Sequence, residues 1–246
     1  MRMKAVIIFF ILYSLLIAAF GYIFFRKYYL QYNLLRLDPL EVNKLNQDVP
    51  GETLNAFDIW MIGDSRIARW DQNLISLPDH RILNLGIDGQ TTTQVLERLK
   101  EYLKVAIPRK IIFEAGINDL KIIGLKKNLQ PEIELMCYNN ITSVVNICRD
   151  RQIKIITMNI IPPGRMNILR GLFWNNSVRE SISKINSLLK AFCDSKNTFY
   201  YDSDKILCDR DNIIKREYRG DFLHLNKEGY KALSTDISRH AVFLEP

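Results

Sequence analysis

Residues 57–65 read FDIWMIGDS: an almost wholly apolar run that stops at Gly63 and presents a hydroxyl at Ser65. Aromatic and β-branched residues in so short a run predict a buried strand over 57–62, with the glycine ending it. Similar runs recur outward at 81–85, 110–115, 153–159 and 198–201. Between and after them, residues 67–75, 92–105, 131–150, 177–193 and 227–239 carry helical spacing. Strand and helix in alternation predict an α/β fold, a three-layer α/β/α sandwich on a five-stranded parallel sheet, spanning residues 57–246. About 190 residues is ample for one hydrophobic core.

In open α/β sheets, ligands bind beyond the carboxyl ends of the strands. Ser65 follows the first predicted strand, Gly86 the second and Asn118 the third, while Asp221 and His224 precede the last helix. Acyl transfer through a covalent intermediate needs a nucleophile, a base, an acid to orient the base, and donors for the developing oxyanion. Ser65, His224 and Asp221 suit the first three roles. The backbone N–H groups of Ser65 and Gly86 and the Asn118 side-chain amide suit the fourth, since a glycine lets backbone approach closely and an amide donates without titrating. Of three histidines, His80, His224 and His240, only His224 has a carboxylate three residues earlier. The same scarcity argues against a metal centre and predicts no metal. Asp64 and Asp119 adjoin site residues and are read as shaping their loops by bonding backbone N–H groups.

Gly63-Asp64-Ser65, Gly86-Ile87-Asp88-Gly89-Gln90-Thr91-Thr92, Gly116-Ile117-Asn118-Asp119 and Asp221-Phe222-Leu223-His224, in this order, resemble the blocks of the SGNH (GDSL-type) hydrolase superfamily. The resemblance runs from about Phe57 to the C-terminus. It implies a flavodoxin-like sandwich, a Ser65-His224-Asp221 triad, an oxyanion hole from Ser65, Gly86 and Asn118, and no cofactor. Arg66 departs from the leucine in the GDSL name. That family includes lipases, lysophospholipases, thioesterases and carbohydrate O-acetylesterases. Deacetylation of an extracytoplasmic glycan is the first expectation and a lysophospholipid substrate the second. An acyltransferase using the same triad, and an inactive tethered binding protein, are the alternatives.

Residues 5–25 carry no charge, between Arg2 and Lys4 on one side and Arg26 and Lys27 on the other. As a helix they span roughly 30 Å, the thickness of a bilayer core. The expectation is a membrane anchor over 1–27, a stem over 28–56 broken by Pro39 and Pro50-Gly51, and a catalytic domain outside the cytoplasm. Secretion after signal cleavage is the alternative. The net charge of +7 falls to +3 once the four basic residues flanking the span are set aside, leaving 30 basic against 27 acidic residues. With no nucleic-acid motif besides, that class of partner is excluded.

Two long connections, 161–176 and 203–220, should border the site. Arg66, Arg69, Arg170 and Trp174 are candidate substrate contacts, as a lid that takes an anionic ligand or as solvated loop residues. Of the four cysteines, Cys137 and Cys148 share a predicted helix about 16 Å apart, too far to bridge. Pairing of Cys193 with Cys208 is conceivable, and buried thiols serve equally well.

Overall fold

A computed structural model describes residues 2–38, 49–77, 79–167, 170–193 and 197–239. Five parallel strands, β1 (Ile59–Gly63), β2 (Ile82–Gly86), β3 (Lys110–Glu114), β4 (Lys154–Met158) and β5 (Thr198–Tyr201), lie in the order β2-β1-β3-β4-β5. Each sits where the apolar runs predict, within a residue or two at its ends. Successive side chains of a strand point to opposite faces, and the two cores divide accordingly. Trp60, Ile62, Ile111, Phe113 and Ile155 face one core, while Ile59, Met61, Ile112, Ile156 and Met158 face the other.

The first core is closed by α4 (Thr92–Val105), α5 (Ile117–Leu125), α6 (Gln130–Asp150) and α7 (Asn176–Phe192). The second is closed by α3 (Ser65–Ala68), α8 (Asp204–Leu207) and α9 (Lys227–Arg239), which completes the three-layer sandwich. Register places Gly63 beside both Gly86 and Glu114, so the ends of β1, β2 and β3 form one edge.

Two elements differ from expectation. The helix expected over 67–75 is only α3, followed by a 3₁₀ turn at Gln72–Leu74. Asp71 caps that turn by accepting from Asn73 N, and the Trp70 indole is drawn inward to donate to Ser234 Oγ at 2.8 Å. Helix α5 was not anticipated. Its sequence INDLKIIGL is buried on nearly every side and so lacks an amphipathic signature.

The N-terminal helix α1 (Arg2–Leu35) is the one helix among the described residues long and apolar enough to cross a membrane. It continues unbroken through 28–35, where a separate stem was expected; the break expected at Pro39 lies outside the described residues, as does His240. Its last turns are docked on the domain rather than tethered loosely. Leu30 and Leu34 pack on the first core, Arg26 donates to Leu125 O at 2.8 Å, and Tyr22, Phe25 and Tyr29 set their rings within 6.0 Å of Phe173. Beyond α1, the short α2 (Gly51–Asn55) leads into β1. Cys137, Cys148 and Cys208 are unbridged buried thiols, so Cys208 is not paired with Cys193.

Candidate active site

Ser65 is the first residue of α3, delivered by the end of β1. Asp64 caps that helix, its carboxylate accepting from Arg66 N at 3.0 Å. Ser65 Oγ lies 2.9 Å from His224 Nε2, and His224 Nδ1 lies 2.7 Å from Asp221 Oδ2. The acid fixes the tautomer: with Nδ1–H donating to Asp221, Nε2 is free to accept the serine proton. Asp221 is itself held in a tight turn, Oδ1 accepting from Leu223 N at 2.7 Å and His224 N at 2.9 Å. Partial burial alone would raise its pKa. The ring N–H of His224 and the two backbone donors outweigh that and hold the carboxylate at about 2, ionised throughout the working range.

The loop after β2 lies against this pair, Ile87 N donating to Gly63 O at 3.1 Å. Here the expected donor is corrected. Gly86 N already donates to Asn84 Oδ1 at 2.9 Å, so it is not aimed at a substrate. Glycine is needed at 86 for a different reason: a Cβ there would fall 2.2 Å from Ala68 N, where the strand end packs onto α3. Three residues on, Gly89 has φ +75°, and its N–H has no partner among the described residues; neither has that of Ser65. Its carbonyl accepts from Arg36 Nη1 at 2.8 Å, while Thr91 Oγ1 donates to Arg36 O at 2.6 Å, so the end of α1 clamps this loop. From beneath, buried Arg98 donates to Leu85 O, Gly63 O and the Gln90 side chain.

Asn118 reaches the same loop from α5. Its Nδ2 donates to Gln90 O at 2.9 Å and its Oδ1 accepts from Lys121 Nζ at 2.9 Å. The two bonds together fix the amide orientation and leave one N–H of Nδ2 unspent. Lys121 is one of the residues that sequence reasoning missed, and its place at i+3 from Asn118 on a helix was the available signal. Burial, then the charge of Arg36, lowers its pKa to about 8. Asp119 binds Thr92 N and Thr92 Oγ1, tying α5 to the start of α4. Asp64 and Asp119 therefore both shape loops, as read from the sequence.

Arg66 is the second correction. It is 2% exposed and cannot meet a substrate at the surface. Its Nε donates to Leu223 O at 3.1 Å and its Nη1 to Glu114 Oε1 at 3.2 Å, which fastens the turn bearing His224 to the end of β3. Arg69 does lie on the rim, 45% exposed, with Asp88 at 3.1 Å and Asp221 at 3.9 Å. Arg170 is exposed, its guanidinium carbon 5.2 Å above the Phe222 ring. Trp174 is nearly buried and meets the same ring edge-on at 5.0 Å.

Comparison with known proteins bears on the fold and the family. A model of the GDSL-like lipase/acylhydrolase family matches residues 61–232. Platelet-activating factor acetylhydrolase IB subunit alpha2 of Homo sapiens is 31% identical over 182 residues, 70% of this chain and 71% of that protein. A solved structure from Streptococcus pneumonia superimposes with a TM-score of 0.63 at 23% identity, covering 87% of this chain and 95% of that one. A GDSL-like lipase from Bacteroides thetaiotaomicron does so with a TM-score of 0.57 at 17% identity, covering 82% and 95%. The structural likenesses speak for the fold, while the family match and the human relative speak for descent. This chain belongs to the GDSL-like lipase/acylhydrolase family.

Proposed function

We propose that the protein is a membrane-anchored serine ester hydrolase. The observation that carries this is the unbroken relay from Ser65 Oγ through His224 to Asp221, with contacts of 2.9 and 2.7 Å. Ser65 Oγ attacks the ester carbonyl as Nε2 of His224 takes its proton, and Asp221 steadies the resulting imidazolium. The same proton then goes to the departing alkoxide, leaving an acyl-serine. Water, deprotonated by His224, releases the acid and restores Ser65. The oxyanion of each tetrahedral intermediate is met by the N–H groups of Ser65 and Gly89 and by the unspent N–H of Asn118, donors on the segments that follow β1, β2 and β3. Asn118→Ala is therefore expected to lower kcat by roughly 10²- to 10³-fold with a small change in KM, measured by steady-state hydrolysis.

The acyl group is proposed to be short, acetyl first, removed from a glycan or lipid outside the cytoplasm. A human relative named as an acetylhydrolase supports the acetyl group. The apolar side chains of α1 that stand exposed from Met3 to Phe25 support the anchor. A panel of acetyl, butyryl and long-chain p-nitrophenyl esters tests the acyl choice: the highest kcat/KM is expected for acetyl, with free acid as the product. Turnover of long chains alone would overturn it.

A further inference from the structure

The turn after β2 is the part of the site that the triad does not hold in place. Gln90 N donates to Ile87 O at 3.4 Å, closing a turn from Ile87 to Gln90 with Gly89 in its third position at φ +75°. A positive φ at that position calls for glycine, and glycine is also the residue with the widest conformational freedom. An N–H that serves a developing oxyanion has to be set before the charge arrives, since a donor that must first reorient gives back part of its stabilisation. The Gly89 N–H therefore depends on what holds the rest of its residue.

On either side of it the turn is tied down. Ile87 N donates to Gly63 O at 3.1 Å, and Gln90 O accepts from Asn118 Nδ2 at 2.9 Å. Between these ties the Gly89 carbonyl accepts from Arg36 Nη1 at 2.8 Å, its one hydrogen bond among the described residues. Arg36 is in turn fixed. Its Nη2 donates to the Tyr32 hydroxyl one turn back on α1, and its guanidinium carbon lies 4.4 Å from the centre of the Tyr32 ring. Its carbonyl accepts from Thr91 Oγ1 at 2.6 Å, and the next residue, Leu37, packs on the first core. The guanidinium fills the space that a Cβ on residue 89 would take, so glycine and arginine are fitted to each other. The Arg36 charge also reaches the other side of the donor set. After burial, it is what lowers the pKa of Lys121, whose Nζ donates to Asn118 Oδ1.

We propose that Arg36 is a positioning residue of the oxyanion site: from the end of α1 it sets the Gly89 peptide so that its N–H meets the oxyanion. The helix is thereby a working part of the active site in addition to an anchor. This rests on the hydrolase reading above and adds to it a residue outside the stretch 61–232 that the family model matches.

The test uses the full-length protein in neutral detergent with p-nitrophenyl acetate. Arg36→Gln is expected to lower kcat roughly 10- to 100-fold, less than the loss of a whole donor, with KM within about twofold of the parent. The kcat/KM pH profile should keep the parent's shape, because the relay from Ser65 through His224 to Asp221 is untouched. Arg36 is only partly buried, so thermal melts should coincide with the parent's. Arg36→Lys keeps a cation that can donate to Gly89 O, and should regain at least about threefold of the lost kcat. An unchanged kcat in Arg36→Gln, or a loss carried by KM alone, would overturn the proposal while leaving the hydrolase reading standing. A fall in kcat that comes with a lowered melting transition and is not recovered by lysine would do the same, since it would give Arg36 a purely structural role. A parent protein that leaves p-nitrophenyl acetate intact would overturn both.

Discussion

Replacing Ser65 with alanine is expected to lower kcat for ester hydrolysis by roughly 10⁴- to 10⁶-fold while the thermal transition stays where it is. The change removes one oxygen. The Cβ remains, and the Ser65 N–H that would meet the oxyanion is untouched. Among the described residues the lost hydroxyl is bonded only to the His224 ring, which keeps its bond to Asp221. His224→Ala should cost a similar factor, and the double substitution little more, because the two side chains act as one unit. Steady-state rates with p-nitrophenyl acetate, set beside circular dichroism melts, check all three. Retention of even a tenth of the activity by Ser65→Ala would show that another group attacks.

Arg66→Ala is expected to be the most damaging single change to stability, at about 3–5 kcal/mol, because it leaves buried acids without their cation. Asp64, Glu114 and Arg66 are all buried. One oxygen each of Asp64 and Glu114 has no donor while both are ionised. A proton on Glu114, shared with Asp64, satisfies both oxygens and leaves one negative charge facing Arg66. Burial first, and then the Asp64 charge, accordingly lift Glu114 to about 8. The folded protein thus holds a proton that the unfolded chain releases near pH 4.5. Stability should fall as pH rises from about 4.5 through about 8, since across that window the folded state binds more protons. Glu114→Gln, which stays neutral and can still donate to Asp64, should flatten that decline. Arg66→Ala should also cost activity, because the Leu223 carbonyl that it holds belongs to the His224 turn. Urea titrations between pH 5 and 9 check both variants, and an unchanged midpoint for Arg66→Ala would contradict the buried network.

How much of this was legible in the residues differs by element. The strands could be read because most are short apolar runs closed by glycine or a charge, and burial on both faces of the sheet makes such runs continuous. The proposed triad could be read because its members are chemically rare: a single histidine has an acid three residues before it. The donor loop could not. That Asn84 captures the N–H of Gly86, or that Gly89 takes a positive φ, depends on a side-chain bond and a dihedral, and neither leaves a mark in composition. Arg66 misled for a related reason. On a helix running to residue 75 it would share an outer face with Arg69, but α3 ends at Ala68, and burial of Trp70 turns the chain inward. The clamp of Arg36 on Gly89 joins positions 53 residues apart and becomes visible only once α1 is seen to dock on the domain.

The central claim is that Ser65 is an activated nucleophile. Mass spectrometry of the folded protein after brief treatment with a fluorophosphonate tests it most directly. One adduct is expected, on Ser65, forming far more slowly in His224→Ala and not at all in Ser65→Ala. A folded protein that takes no label, or carries it on another residue, would contradict the account.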